Sequence, residues 1–235
     1  MRPVSLITGA GRGIGRGIAI ELARLNHAVV INYAGNAAAA DECLGLVRAA
    51  GGEGITVQAD VAVSADRERL VETTLKAFGR IDLLVNNAAT NPHYGPLQDA
   101  EIGTVDKIWA VNVRAPLLFA QAAWRTWMRD HGGAILNVAS IGGLRVTPML
   151  GAYDVSKAAL IHLTRQLALD MAPSVRVNAV APGIVRTGFS RLLYEGEADP
   201  SALYPLQRLG DAGEIADAAA FLLSERTSWV TGHVL

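Results

Sequence analysis

Apolar residues along the chain fall into two alternating patterns. Short continuous runs occupy 4–8 (VSLIT), 28–32 (AVVIN), 54–60 (GITVQAD), 81–87 (IDLLVNN), 134–140 (AILNVAS), 175–182 (VRVNAVAP) and 229–235 (WVTGHVL). They do not alternate apolar with polar, which marks strands covered on both faces. Between them lie helix-forming segments at about 14–25, 37–50, 65–78, 103–129, 152–172 and 212–223. Repeated βα units of this kind predict an α/β fold, with a single doubly wound, parallel, seven-stranded sheet flanked by helices. No linker, repeat or low-complexity segment divides the chain, so residues 1–235 read as one domain.

The first predicted strand runs into Thr8-Gly-Ala-Gly-Arg-Gly-Ile-Gly15, which opens a helix. A glycine-rich turn in that setting suits a dinucleotide phosphate, because a helix N-terminus offers free N–H groups and partial positive charge. Gly9 permits the tight turn, Gly13 the approach of backbone to a pyrophosphate, and Gly15 close packing of helix on sheet. The spacing G-x-x-x-G-x-G differs from the commoner G-x-G-x-x-G, and a plain connecting turn is the alternative. An NAD site usually has a carboxylate near the end of the second strand to hold the ribose 2′-OH. Here that strand ends Ile31-Asn32-Tyr33, and the next acid, Asp41, already lies in the following helix. With Arg12 in the glycine loop to face a 2′-phosphate, the pattern favours NADP(H) over NAD. Asp60 and Val61 end the third strand, where an adenine amino group is met. Asp60 has helix capping as its other use, with Ser64 the better cap. Asn86-Asn87-Ala88-Ala89 ends the fourth strand.

Tyr153 and Lys157 lie four apart in a predicted helix, so both project from one face. Lysine is scarce, with only Lys76, Lys107 and Lys157 in the chain. A free tyrosine has a pKa of about 10. A nearby cation lowers it by about 1 to 3 pH units, toward the range in which a phenol both gives and takes a proton at an oxygen. Ser140 closes the run AILNVAS, where its hydroxyl can hold that oxygen. The plainer reading is a solvated Tyr–Lys pair and a turn-capping serine. Asn112 sits mid-helix in AVNVRAP, where its side chain serves a water or a distorted backbone turn.

Composition narrows the field. At 235 residues, 51% apolar and net charge −1, the chain supports a substantial core and carries no basic stripe, so nucleic acid is not expected as a partner. No apolar run approaches the ~18 residues of a membrane span, and no signal-peptide core precedes the first strand. Cys43, the only cysteine, cannot form an internal disulfide and reads as a buried thiol in a reducing, cytoplasmic compartment. One cysteine with scattered histidines (His27, His93, His131, His162, His233) excludes a zinc dehydrogenase, and no metal site is expected. A hydrolase built on Ser140 and His162 fails on context, since N-V-A-S-I-G is not G-x-S-x-G.

Taken together, T-G-x-x-x-G-I-G at 8–15, N-N-A at 86–88, Asn112, Ser140, Y-x-x-x-K at 153–157 and P-G at 182–183 resemble the short-chain dehydrogenase/reductase family over essentially the whole chain. The resemblance implies a Rossmann-like dinucleotide-binding and catalytic domain. Tyr153 is then the acid/base, Ser140 orients the substrate oxygen, and Lys157 holds the nicotinamide ribose and tunes Tyr153. Asn112 holds a water that relays protons from Lys157. Gly9, Arg12, Gly13, Ile14, Gly15, Asn32, Tyr33, Asp60, Val61, Asn87 and Ala88 border the cofactor, as do Tyr153 and Lys157. Pro182, Gly183, Ile184 and Thr187 line its nicotinamide and pyrophosphate end. Two features depart from the family. Ala89 stands where N-N-A-G is usual, and relatives continue past the position of Leu235 through an Asp-Gly-Gly segment. Residues 1–88 resemble 3-oxoacyl-acyl-carrier-protein reductases (GRGIGRGIA, VINYAGN), whereas NPHYGPL, VNVRAPLL and APGIVRTGFSRLL resemble NADPH-dependent carbonyl reductases.

The expected activity is hydride transfer between NADP(H) and a ketone or secondary alcohol, with a hydrophobic ketone or 3-oxoacyl compound as substrate. Its alternatives are NAD-linked oxidation of a small polar alcohol or sugar, and a non-catalytic NADP-binding sensor or scaffold. Loops 90–98, 141–151 and 184–206 supply His93, Tyr94, Leu144, Val146, Met149, Leu150, Phe189, Leu192, Leu193 and Tyr194 to an apolar pocket. Gly188, Gly196 and Pro200 mark 184–206 as a mobile substrate lid. The helices near 104–128 and 152–172 are apolar around much of their circumference, which predicts a homodimer or homotetramer.

Overall fold

The computed structural model of the chain describes residues 2–195 and 200–235. Its strands are β1 (Val4–Ile7), β2 (Ala28–Tyr33), β3 (Glu53–Gln58), β4 (Leu83–Asn86), β5 (Gly133–Val138) and β6 (Val175–Val180). All are parallel, in the order β3-β2-β1-β4-β5-β6. The helices are α1 (Gly13–Arg24), α2 (Ala37–Ala49), α3 (Ser64–Phe78), a long α4 over 102–131, α5 (Gly151–Asp170) and α6 (Ala212–Leu223). The expected doubly wound architecture holds, with six strands among the described residues in place of seven. Residues 232–235 run beside β6, where Gly232 donates to Val177 O and Leu235 to Ala179 O, but they form only an isolated bridge between Ala179 and Val234. Gly232 turns the chain there at φ +72°.

The continuous apolar runs are explained by two cores. Leu6, Val30, Leu84 and Ile135 face one side, against Leu70 and Val71 of α3, Phe119 and Met128 of α4 and Leu167 of α5. Ile7, Ile31, Val85 and Leu136 face the other, against Ile18 and Leu22 of α1, Cys43 and Val47 of α2 and Leu222 of α6. Successive residues point to opposite faces and both faces are dry, so the strands read as nearly continuous apolar runs, with Ser5, Asn137 and Asn178 as buried polar exceptions. The strand order reverses between β1 and β4. Loops leaving the carboxyl ends of strands diverge at such a point, and a crevice opens there.

Two features of α4 go beyond the expected plain helix. It widens into π turns at Ala110–Arg114 and Trp124–Met128. The first contains Asn112. An extra residue in one turn breaks the regular i to i−4 pattern, and such bulges cluster at functional sites.

Candidate active site

The glycine loop is built by steric demand from below. Gly9 and Gly13 have φ of +64° and +58°, a region that glycine enters without strain. A Cβ on Gly15 would lie 2.5 Å from Asn87 Nδ2 and 2.7 Å from Gly9 O. Close packing of helix and loop therefore requires glycine there, as expected. Thr8 Oγ1 accepts the N–H groups of Asn87 and Ala88 (both 3.0 Å), and Asn87 Nδ2 donates to Thr8 O (2.9 Å) and Gly9 O (3.0 Å). Arg16 clamps the loop from outside, donating to Gly11 O (2.8 Å) and to Glu42 (2.9 Å). α1 itself starts with no side-chain cap and no acid in its first turn. Its first N–H groups and positive dipole end remain available to an anion. Arg12 is exposed beside them and forms no ion pair among the described residues. This uncapped, glycine-lined cradle fits the phosphates of a dinucleotide.

The expected neighbours of that loop divide. Asn32 is buried at 1% exposure; its Oδ1 accepts the Gly9 N–H (3.1 Å) and its Nδ2 donates to Ala59 O (3.0 Å). Its side chain is a brace under the loop and is too enclosed to touch a ligand. Tyr33 is half-buried against the core, and the Val61 side chain belongs to the core beneath the sheet. Asp60 is exposed and its carboxylate accepts the Ala62 N–H (2.9 Å). Ser64, expected to cap α3, is instead that helix's first residue and donates to Glu68 (3.1 Å); the cap position falls on Val63. Ala89 has no positive φ, so the departure from glycine is absorbed without strain.

Ser140, Tyr153 and Lys157 converge at the carboxyl end of β5. The Ser140 hydroxyl accepts the Gly142 N–H (3.1 Å) and faces the Tyr153 phenol closely enough to oppose the rise of its pKa. Turn cap and phenol partner are thus one residue. Lys157 is 2% exposed, with Nζ donating to Val138 O (2.7 Å) and lying 5.6 Å from the Tyr153 ring centroid. An ammonium has three protons, and the single acceptor leaves Nζ donors for ligand hydroxyls. The direction of tuning differs from expectation. Burial, assisted by the Asp154 charge and opposed by the Ser140 hydroxyl, pushes the Tyr153 phenol up to about 12. Burial pushes Lys157 down to about 7. Desolvation penalises both charged forms, and it outweighs the help a lysine gives a phenolate.

Asn112 is fully buried and engaged. Its Oδ1 accepts the Thr90 N–H (2.9 Å), and its Nδ2 donates to Thr90 O (3.0 Å) and Ser156 Oγ (3.0 Å). Ser156 in turn donates to Tyr153 O (2.6 Å). The π turn of α4 is thereby joined to the catalytic helix and to the loop after β4. Both Nδ2 protons are used within the protein.

Three loops close over this group. Gly95 donates to Met149 O (2.9 Å) and Ile141 to Pro182 O (2.9 Å), which ties 90–98, 141–150 and 182–187 together. The Phe189 ring sits 6.0 Å from that of Tyr153. Thr187 lies over the glycine loop, with Cγ2 3.4 Å from where a Gly13 Cβ would be. Tyr204 packs on Gly183, its Cε1 2.7 Å from a hypothetical Cβ, and its hydroxyl accepts the Ile184 N–H (2.8 Å). Gly183 is therefore needed for a tyrosine ring. Tyr194 donates to Thr187 O (3.1 Å). Leu144, Val146 and Leu192 are exposed around the opening. Within the expected lid, Gly196 lies outside the described residues; the remainder carries short 3₁₀ turns at Arg191–Leu193 and Pro200–Leu203.

Comparison with known proteins bears on this geometry. Residues 9–235 match a family model described as enoyl-(acyl carrier protein) reductase. The chain is 39% identical over 239 residues to dehydrogenase/reductase SDR family member 4 of Bos taurus, covering 99% of this chain and 84% of that protein. The chain belongs to the short-chain dehydrogenase/reductase family. Tropinone reductase-like 3 of Erythroxylum coca is 37% identical over 235 residues, covering 99% of this chain and 90% of that one. Among solved structures, a short-chain dehydrogenase/reductase from Mycobacterium ulcerans superposes with a TM-score of 0.92 at 29% identity, covering 99% and 86% of the two chains. The promiscuous reductase LugOII, which catalyses keto-reduction at C1 during lugdunomycin biosynthesis, superposes with a TM-score of 0.89 at 33% identity, covering 99% and 95%.

Short-chain dehydrogenase/reductase members bind NAD(P)(H) and act on small molecules; in this chain Ser140, Tyr153 and Lys157 lie together at the carboxyl end of β5, whereas Asn32 and Val61 are enclosed beneath the glycine loop and the sheet. Sequence reasoning missed Thr8 as the knot between the glycine turn and Asn87-Ala88. It also missed Ser156 as the partner of Asn112, Asp154 beneath the 141–150 loop, and Tyr204 on Gly183. A buried aspartate beside a tyrosine leaves no mark in local sequence. Ser156 carries a faint signal, being the one small polar residue on the inner face between Tyr153 and Lys157.

Proposed function

We propose that the chain is an NADP(H)-dependent reductase of hydrophobic ketones, working in the cytoplasm as a homodimer or homotetramer. The convergence of Ser140, Tyr153 and Lys157 beside an uncapped glycine cradle carries this reading. NADP(H) is favoured because β2 ends without a carboxylate and Arg12, exposed at the cradle, has no ion-pair partner among the described residues. Gly9, Arg12, Gly13, Ile14, Gly15, Asn87, Ala88, Pro182, Gly183, Ile184 and Thr187 would hold the dinucleotide, with Lys157 Nζ on its ribose hydroxyls. When bound, the nicotinamide supplies the hydride. The chain supplies position and the proton. Ser140 holds the carbonyl oxygen, and its hydrogen bond stabilises developing negative charge there. Tyr153 donates its proton to that oxygen, which a phenol kept neutral by burial is suited to do. Lys157 is then the source from which the phenolate is reprotonated, through the Asn112 turn to solvent.

The exposed apolar rim of Leu144, Val146, Leu192 and Phe189 supports a hydrophobic substrate, and the keto-reduction by LugOII and the reductase name of the coca relative support a ketone. The family model's description, an enoyl-(acyl carrier protein) reductase, supports an acyl thioester as a second substrate class. Half-open apolar faces on α4 and α5, including Trp109 and Leu169, support self-association. A free buried thiol fits a reducing compartment. NADPH oxidation at 340 nm across ketones, 3-oxoacyl thioesters and polar sugars tests the reading. Ketone turnover with NADPH, abolished in Tyr153→Phe while NADPH still binds, is the expected result. Turnover confined to NADH and polar alcohols would refute it.

A further inference from the structure

Among the described residues Asp154 is the one buried acid, at 5% exposure. A buried carboxylate is unfavourable unless its partners compensate. No salt bridge compensates this one, and the nearby Lys157 ammonium is bound to Val138 O instead. The partners it has all belong to one loop. Oδ2 accepts the Thr147 N–H at 2.7 Å. Oδ1 has no partner and occupies the space a Gly142 Cβ would need, 2.0 Å away. Gly142 thus opens the room that lets the carboxylate reach Thr147.

The gripped loop is under strain. Met149 has φ +68°, a left-handed conformation that a long side chain avoids. Such a conformation persists only where its surroundings over-determine it. Here Leu150 donates to Thr147 O (3.2 Å), Gly95 to Met149 O (2.9 Å), and Asp154 anchors Thr147 from below. Arg145 and Val146 stand exposed on the outer side of this anchored segment.

We propose that Asp154 is a positioning residue that fixes loop 141–150 as the substrate-facing wall beside Tyr153, setting affinity for the ketone and leaving that for the dinucleotide alone. The assignment rests on the ketone-reductase reading. The test compares full-length wild type, Asp154→Ala and Asp154→Asn. Asn keeps an oxygen acceptor for the Thr147 N–H, so it should rescue. Loss of an anchoring hydrogen bond predicts a ketone KM about tenfold higher in D154A, with kcat and NADPH affinity within about threefold, and near-wild-type values in D154N. In parallel, trypsin should cut D154A after Arg145 about tenfold faster than wild type or D154N, since cleavage tracks the open population of the loop. Unchanged KM and unchanged cleavage in D154A would overturn the proposal, as would equal losses in D154N and D154A. If wild type reduces no ketone, the ketone reading fails by itself, and the trypsin comparison still decides whether Asp154 holds the loop.

Discussion

Replacing Lys157 by Met should flatten the pH dependence of stability between pH 7 and 9. Lys157 is fully enclosed, and burial pushes its pKa from 10.5 down to about 7. The folded pKa lies below the unfolded one, so between the two the unfolded chain binds more protons and stability rises with pH. Linkage with these two values gives a gain of about 2 kcal/mol from pH 7 to pH 9 in the ligand-free protein. The window largely avoids the other shifted groups: only the Cys43 thiol enters it, through its unfolded value of 9.0, and that lowers stability by about 0.4 kcal/mol at pH 9, equally in wild type and K157M. In the folded protein the Cys43 thiol, pushed from 9.0 up to about 11, and the Tyr153 phenol, up to about 12, both titrate above it. His27, lowered from 6.5 by burial against the opposing charge of Asp82, titrates below it. Methionine has similar length and no proton to lose. It leaves Val138 O without the donor it has now, which costs about 1–3 kcal/mol. The charge penalty removed at pH 7 is about 4 kcal/mol. K157M should therefore be somewhat more stable than wild type at pH 7, although inactive. Urea unfolding followed by tryptophan fluorescence, at one protein concentration and without nucleotide, measures this. Parallel pH profiles for wild type and K157M, or a wild type that loses stability from pH 7 to 9, would refute the reasoning.

Two glycines should respond oppositely to alanine. Gly15→Ala drives a methyl into Asn87 and Gly9 O and should destabilise by about 1–3 kcal/mol in urea unfolding, with weaker NADPH binding. Gly45, inside α2 with nothing within 4 Å of a new Cβ, should gain about 0.5–1 kcal/mol on the same change; equal effects at both sites would discredit the steric account of the glycine loop. Tyr204→Phe leaves the Ile184 N–H without its acceptor, so NADPH affinity measured by fluorescence should fall by up to about tenfold. An unchanged affinity would mean the turn is held by other contacts. Cys43, buried and with its thiol pushed up to about 11, should resist iodoacetamide at pH 7.5 and become alkylated in urea, as read by mass spectrometry. Rapid labelling of the native protein would contradict its placement in the core.

Much of the architecture was legible in the order of residues. Continuous apolar runs mean strands dry on both faces, so parallel βα winding followed from period alone, and the glycine spacing placed a phosphate-sized turn after β1. The four-residue step from Tyr153 to Lys157 put both on one helix face, because helical geometry is local. Tertiary structure decided the rest. That residues 232–235 meet β6 through an isolated bridge and not a ladder is a matter of long-range pairing. That Gly183 faces Tyr204, that Asn32 is a brace, and that Asn112 reaches Thr90 and Ser156 are contacts between residues far apart in the chain, which carry no periodic signal. The direction of the Tyr153 and Lys157 shifts was likewise set by folding. Proximity of phenol and ammonium is a property of one helix, but the water removed from around them depends on every segment that packs over it, and here the loss of water outweighs the attraction.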